Sequence, residues 1–110
     1  LKGENLVTNY VLLYTGGDNP TTDDEMKAVM DAWGMWYGKM GESIVDGGNP
    51  FGVVKSVTAD GVSEGAMTTP SVTGYTIISA DSLDAAVDSC KDHPHLKYGG
   101  QISVYETFQM

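Results

Sequence analysis

The sequence predicts an α+β domain, a four-stranded antiparallel sheet with two helices on one face and the element order βαββαβ. Three observations carry this. Residues 10–14 and 74–79 are uninterrupted apolar runs rich in β-branched and aromatic side chains, and read as central strands buried on both faces. Two other segments space their apolar residues three and four apart, as the buried stripe of a helix does. Residues 53–58 and 101–108 intersperse apolar with polar residues, as edge strands do.

Taken in order, the first strand ends at Gly16-Gly17. Thr22-Asp23-Asp24-Glu25 then forms a capping box, in which the Thr22 hydroxyl and the Glu25 carboxylate satisfy each other's free amides. The helix it opens places Met26, Val29, Met30, Trp33, Trp36, Tyr37 and Met40 on one face, and Gly41 ends it. Gly34 and Gly38 lie on another face, one turn apart. They are either tolerated or leave a smooth strip for a close neighbour. The turn Asp46-Gly47-Gly48-Asn49-Pro50-Phe51-Gly52 leads into the second strand, residues 53–58, and Ala59-Asp60-Gly61 is a turn signal. Residues 62–72 lack periodicity and read as a loop. After the third strand, Asp81 can cap a second helix with Leu83, Ala86, Val87 and Cys90 on its apolar face, and Pro94 stops it. The last strand alternates Ile102 and Val104 with Ser103, Tyr105 and Thr107.

This is the split βαβ pattern of ferredoxin-like folds, with sheet order 4-1-3-2 and the two apolar strands in the centre. Residues 1–110 form a single domain, with 1–8 as an N-terminal arm. Tyr10, Leu12 and Tyr14 point to one sheet face and Val11 and Leu13 to the other. Two helices cover one face only, so the second calls for another copy packed sheet to sheet, a homodimer.

Composition narrows the function classes. The 110 residues are 41% hydrophobic and 19% charged, as in ordinary globular domains. The net charge is −9 with no arginine, which argues against nucleic acid and against an anionic membrane surface as partners. Cys90 is the single cysteine, so no intrachain disulfide forms, as suits a cytoplasmic protein. Neither a signal peptide nor a membrane helix is expected.

Residues 10–17, Ala32-Trp33-Gly34-Met35-Trp36, the turn from Val45 to Gly52, Gly74-Tyr75, Ala80-Asp81-Ser82-Leu83-Asp84-Ala85-Ala86 and residues 90–100 together resemble YCII-related domain proteins, in the bacterial branch that includes the DGPF-type proteins. The resemblance spans residues 9–108. It implies a ferredoxin-like dimeric α+β barrel and little about activity. In some relatives a histidine on the first helix and an aspartate before a proline form a suggested acid–base pair. This chain has Met30 and Trp33 in the first region and His93 before Pro94, so that pair does not carry over.

The candidate site residues come from the chain's own chemistry. Asp46, ahead of two glycines, is either a general base at a cleft mouth or an Asx-turn acceptor holding the bend. His93 and His95 flank Pro94; with Asp92 they fall short of a metal site at any recognised spacing, so no metal or other cofactor is expected. His95 is the acid–base candidate, its alternative being a loop histidine satisfied by backbone carbonyls. Trp33 reads as core, and Trp36 as pocket wall. Tyr14, Tyr75 and Tyr105 come from three strands and either orient a ligand oxygen or fill the dimer interface. Phe51 and Tyr75 join Tyr14 and Trp36 as expected ligand contacts. Cys90 lies on an apolar helix face, where thiols are inert. These residues fit a cofactor-free acid–base enzyme with a small-molecule cleft between the first helix and the sheet, or a non-catalytic module binding a ligand or protein.

Overall fold

A computed structural model describes residues 7–109; the N-terminal arm expected over 1–8 lies almost wholly outside that range. The fold is α+β. Its strands are β1 (Thr8–Gly16), β2 (Ile44–Asp46), β3 (Lys55–Thr58), β4 (Gly61–Glu64), β5 (Val72–Ala80) and β6 (Gly100–Glu106). Its helices are α1 (Asp23–Met40), α2 (Leu83–Ser89) and the single turn α3 (Pro94–Lys97). One antiparallel sheet runs β2-β5-β1-β6, while β3 and β4 form a separate two-stranded ribbon.

The two apolar runs are the central strands β1 and β5, paired from Thr8 opposite Ala80 to Tyr14 opposite Gly74. Their alternation sorts the side chains. Tyr10, Leu12, Tyr14, Thr76 and Ile78 are buried on one face, where Trp36 of α1 and Ala86 and Cys90 by α2 join the core. Val11, Leu13, Tyr75 and Ile77, on the other face, are half-buried, and Tyr105 beside them is exposed. No helix in the described residues is long and apolar enough to cross a membrane.

The second strand of the sheet is not where the sequence placed it. The edge position beside β5 belongs to Ile44–Asp46, and residues 53–58 contribute instead to the ribbon. Three residues are too few to display an alternation. Moreover, the turn after Asp46 keeps following β5, with Pro50 bridged to Gly74 and the Phe51 amide donating to the Thr73 carbonyl at 2.8 Å. The edge is therefore filled before Val53. The loop expected over 62–72 likewise begins with β4, which Ala59-Asp60 turns back along β3.

Helix boundaries differ in two places. Thr22 caps α1 as expected, its hydroxyl accepting from the Glu25 amide at 3.0 Å while Glu25 accepts from the Thr21 amide. For α2, Ser82 rather than Asp81 is the cap, accepting from the Ala85 amide at 3.0 Å. Pro94 does not end α2, which stops at Ser89; it opens α3, where a missing N–H costs nothing. Only the C-terminal half of α1 lies over the core. Met26 and Met30, expected on its buried face, are 47% and 65% exposed.

Candidate functional site

A hydrogen-bonded chain of buried polar groups runs beneath α1, and its proton positions follow from geometry. The His95 amide donates to His93 Nδ1 at 3.0 Å, so that nitrogen carries no proton and Nε2 does. His93 Nε2–H then donates to the Tyr14 oxygen at 3.0 Å, and the Tyr14 hydroxyl donates to Thr76 Oγ1 at 2.7 Å. Thr76 passes its own proton to the Gly47 carbonyl at 3.1 Å, which also accepts from the Tyr37 hydroxyl at 2.8 Å. Every member has a partner, so the chain has one direction and one tautomer.

The setting of this chain is aromatic. His93 is 1% exposed, and its ring meets Trp36 at 4.3 Å and Trp33 at 4.5 Å between centroids. Burial in that cage, with His95 adding a smaller repulsion, pushes the His93 pKa down to about 4. Burial likewise pushes the Tyr14 hydroxyl up. Neither group ionises near neutral pH, which suits a fixed scaffold.

His95 is the half-buried, accessible end of the cluster. Its Nε2 lies 2.9 Å from the Thr15 carbonyl, an acceptor only, so Nε2 bears a proton, and in the neutral ring the lone pair is on Nδ1. No hydrogen bond to Nδ1 forms among the described residues. The ring sits where two side chains would otherwise be. A Cβ at Gly100 would fall 2.1 Å from Nε2, and one at Gly17 would fall 2.9 Å from the ring carbon Cε1. The Asp18 amide donates to the Tyr98 carbonyl at 2.7 Å and holds these two glycine-bearing loops together. Tyr14 touches the same ring, 5.1 Å away centroid to centroid.

No protein-family model matches the chain, and no curated protein matches it.

The expected site residues separate onto two faces of the sheet. Tyr14 and His95 come together on the helix side. Asp46, Phe51 and Tyr75 gather apart from them. There the Tyr75 hydroxyl donates to Asp46 Oδ2 at 3.2 Å, and the Phe51 ring stacks on Tyr75 at 5.7 Å. Asp46 Oδ1 accepts from the Gly48 amide at 2.9 Å, the Asx-turn role. The hydrogen bond to Asp46, and then its negative charge, raise the Tyr75 pKa. The burial expected of the two tryptophans is exchanged. Trp36 is 3% exposed and donates its indole N–H to the Ser89 carbonyl at 3.0 Å, so it is core. Trp33 is half-buried and contacts Tyr14, His93 and His95.

His93 and Thr76 are the members that sequence reasoning missed. A histidine before proline beside a second histidine gave some signal, but which imidazole lies inward depends on α3, a single turn. Among the described residues, no three His, Cys, Asp or Glu side chains gather to hold a metal ion. Cys90 is buried, and burial pushes its thiol up to about 11, leaving it a thiol at neutral pH. An open recess of about 390 Å³ lies between Tyr37, Gly41, Ile44, Gly47 and Gly48, at the far end of the chain from His95.

Tyr14→Phe tests the chain directly. It leaves the His93 Nε2–H without an acceptor in a dry site, which costs about 1–3 kcal/mol. The expected outcome is a lower urea midpoint with an unchanged slope.

Proposed function

We propose that this chain is a small-molecule-binding homodimer whose reactive group is His95, acting as a cofactor-free acid–base catalyst. The observation that carries this reading is the seating of His95. The Thr15 carbonyl fixes its tautomer, two glycines make room for the ring, and the unused lone pair on Nδ1 is left for a ligand. A neighbouring carbonyl in that role does what an orienting acceptor does for a catalytic imidazole: it fixes the orientation of the ring. Trp33 supplies an apolar wall beside it, continued along α1 by exposed Met30 and Met26. With a net charge of −9 and no arginine, the fitting ligand is neutral or cationic, with an apolar part.

The wider reading is a YCII-related, ferredoxin-like dimeric α+β barrel in the cytoplasm. Its support is the order β2-β5-β1-β6, which is 4-1-3-2 when the strands of this sheet alone are counted. On that reading the β3–β4 ribbon is an insertion after the second strand. The dimer is supported by the sheet face that carries Val11, Leu13, Tyr75, Ile77 and Tyr105, a larger apolar surface than single residues scattered in water.

A thermal-shift screen of neutral and cationic metabolites tests the site. A compound that binds raises Tm by mass action. The same compound should shift His95→Gln at least tenfold less effectively in concentration and should shift Asp46→Asn as it does the parent. Equal shifts in parent and His95→Gln would move the site away from His95.

A further inference from the structure

Two consecutive residues of β1 hold the two histidines that flank Pro94. The Tyr14 oxygen accepts from the His93 ring, and the next carbonyl along the strand, that of Thr15, accepts from the His95 ring. A single bond to Nε2 orients an imidazole but leaves the backbone that carries it free to shift. At His95 that backbone has a tether of its own. His93 is the N-cap of α3, and Pro94, which lacks an N–H, opens the turn, so His95 brings its first amide. An amide there has no carbonyl one turn back to bond to. It donates instead to His93 Nδ1 at 3.0 Å, while the Leu96 amide closes on the His93 carbonyl at 3.1 Å.

The other contacts of His93 make it a fixed point. Its Nε2–H is bound to Tyr14 of β1, Tyr14 to Thr76 of β5, and Thr76 to the Gly47 carbonyl just past β2. Both central strands and the turn beside them therefore stand behind one ring. Trp33 and Trp36 of α1 close on it from the helix side. Burial, which pushes the His93 pKa down to about 4, also keeps Nδ1 free of a proton and able to accept at neutral pH.

We infer that His93 is a positioning residue, which sets the place of the His95 imidazole by holding the His95 backbone amide. The inference rests on the reading of His95 as the reactive group and adds the residue that seats it. Amide and ring nitrogen are two anchor points on one residue, and together they fix the imidazole in the space left by Gly17 and Gly100. Seating of this kind matters to a catalytic side chain, because a misplacement of about 1 Å costs on the order of a hundredfold in rate.

Two substitutions separate this role from core filling. His93→Asn puts a carbonyl oxygen where Nδ1 was, and asparagine is a strong helix N-cap, but the bond to Tyr14 and much of the ring are lost. His93→Leu keeps the apolar bulk and has no acceptor. The readout is the through-space NMR contact between the His95 proton on Cε1 and the α-protons of Gly17. It is short in the unaltered chain, where a Cβ on Gly17 would lie 2.9 Å from that carbon. The expected result is a contact kept in His93→Asn and lost in His93→Leu. A contact kept in both would make His93 a core filler, and one lost in both would make the aromatic cage the anchor rather than Nδ1; either overturns the inference. Hydrogen exchange on the unaltered chain needs no variant to fold. The His95 amide should be protected at neutral pH, and exchange as fast as in an unfolded peptide would overturn the inference too. No ligand enters either measurement, so a failure here is distinct from a failure of His95 in the thermal-shift screen.

Discussion

Gly48→Ala is expected to lower the stability of the fold by about 3 kcal/mol or more, and to do so from a solvent-facing turn. Two independent costs add at this position. Gly48 has φ of +78°, where an L side chain costs about 1–2 kcal/mol. A Cβ there would also fall 1.6 Å from the Tyr75 carbonyl oxygen, well inside contact distance. The turn must then lift off β5, which breaks the bond from the Phe51 amide to Thr73 and strains that from the Tyr75 amide to Asn49. It also moves the Gly47 carbonyl on which the buried chain ends. Gly34→Ala is the matching control. Nothing lies within 4 Å of its added Cβ and its φ is ordinary, so alanine should stabilise α1 by about 0.5–1 kcal/mol. Urea unfolding of both variants reads the contrast in sign. A Gly48→Ala protein as stable as its parent would mean that the turn does not hug β5 as described.

Acid should destabilise the chain through His93 in a defined window. The folded-state pKa is pushed down to about 4, against 6.5 for an unperturbed histidine. Between those values the unfolded chain binds a proton that the folded chain refuses, so stability falls as pH falls. The contribution is complete above pH 6.5 and is lost by about pH 4; a shift of this size corresponds to about 2–4 kcal/mol. The structural cause is plain. A proton on Nδ1 would face the His95 amide, donor against donor, inside the aromatic cage. His93→Gln removes the titration, so subtracting its urea-midpoint profile from the parent's isolates the effect. Carboxylates contribute to both profiles and cancel. Parallel profiles from pH 7 to about pH 4 would show that His93 is not held neutral by the fold.

How legible this was depended on how far each feature reached along the chain. The central strands were legible because short runs rich in β-branched and aromatic residues, bounded by turn signals, read as strands, and α1 because its cap and its stripe agree. The second strand was not, since Ile44–Asp46 is defined by pairing with β5 rather than by its own pattern. The ribbon was missed for the same reason, as valines among serines look like an edge strand wherever they pair. At the site, Tyr14 and His95 were found from their chemistry. The partner that binds to Tyr14 was not, because the inward turn of His93 is set by three elements meeting from 79 residues apart. Asp46 was grouped with His95 on type alone, whereas strand parity puts its neighbour Tyr75 on the opposite face from Tyr14. Gly17 follows β1 and Gly100 opens β6, and what decides their identity is the imidazole lying against them.

The cage around His93 has an optical consequence. The chain has two tryptophans, and both indoles lie within 4.5 Å of this one imidazole, centroid to centroid. An imidazolium quenches excited indole on contact, whereas a neutral ring does so far less. Tryptophan emission should therefore respond to the proton that His93 takes up, and dimming on acidification, ahead of any red shift, would time its arrival before the core opens.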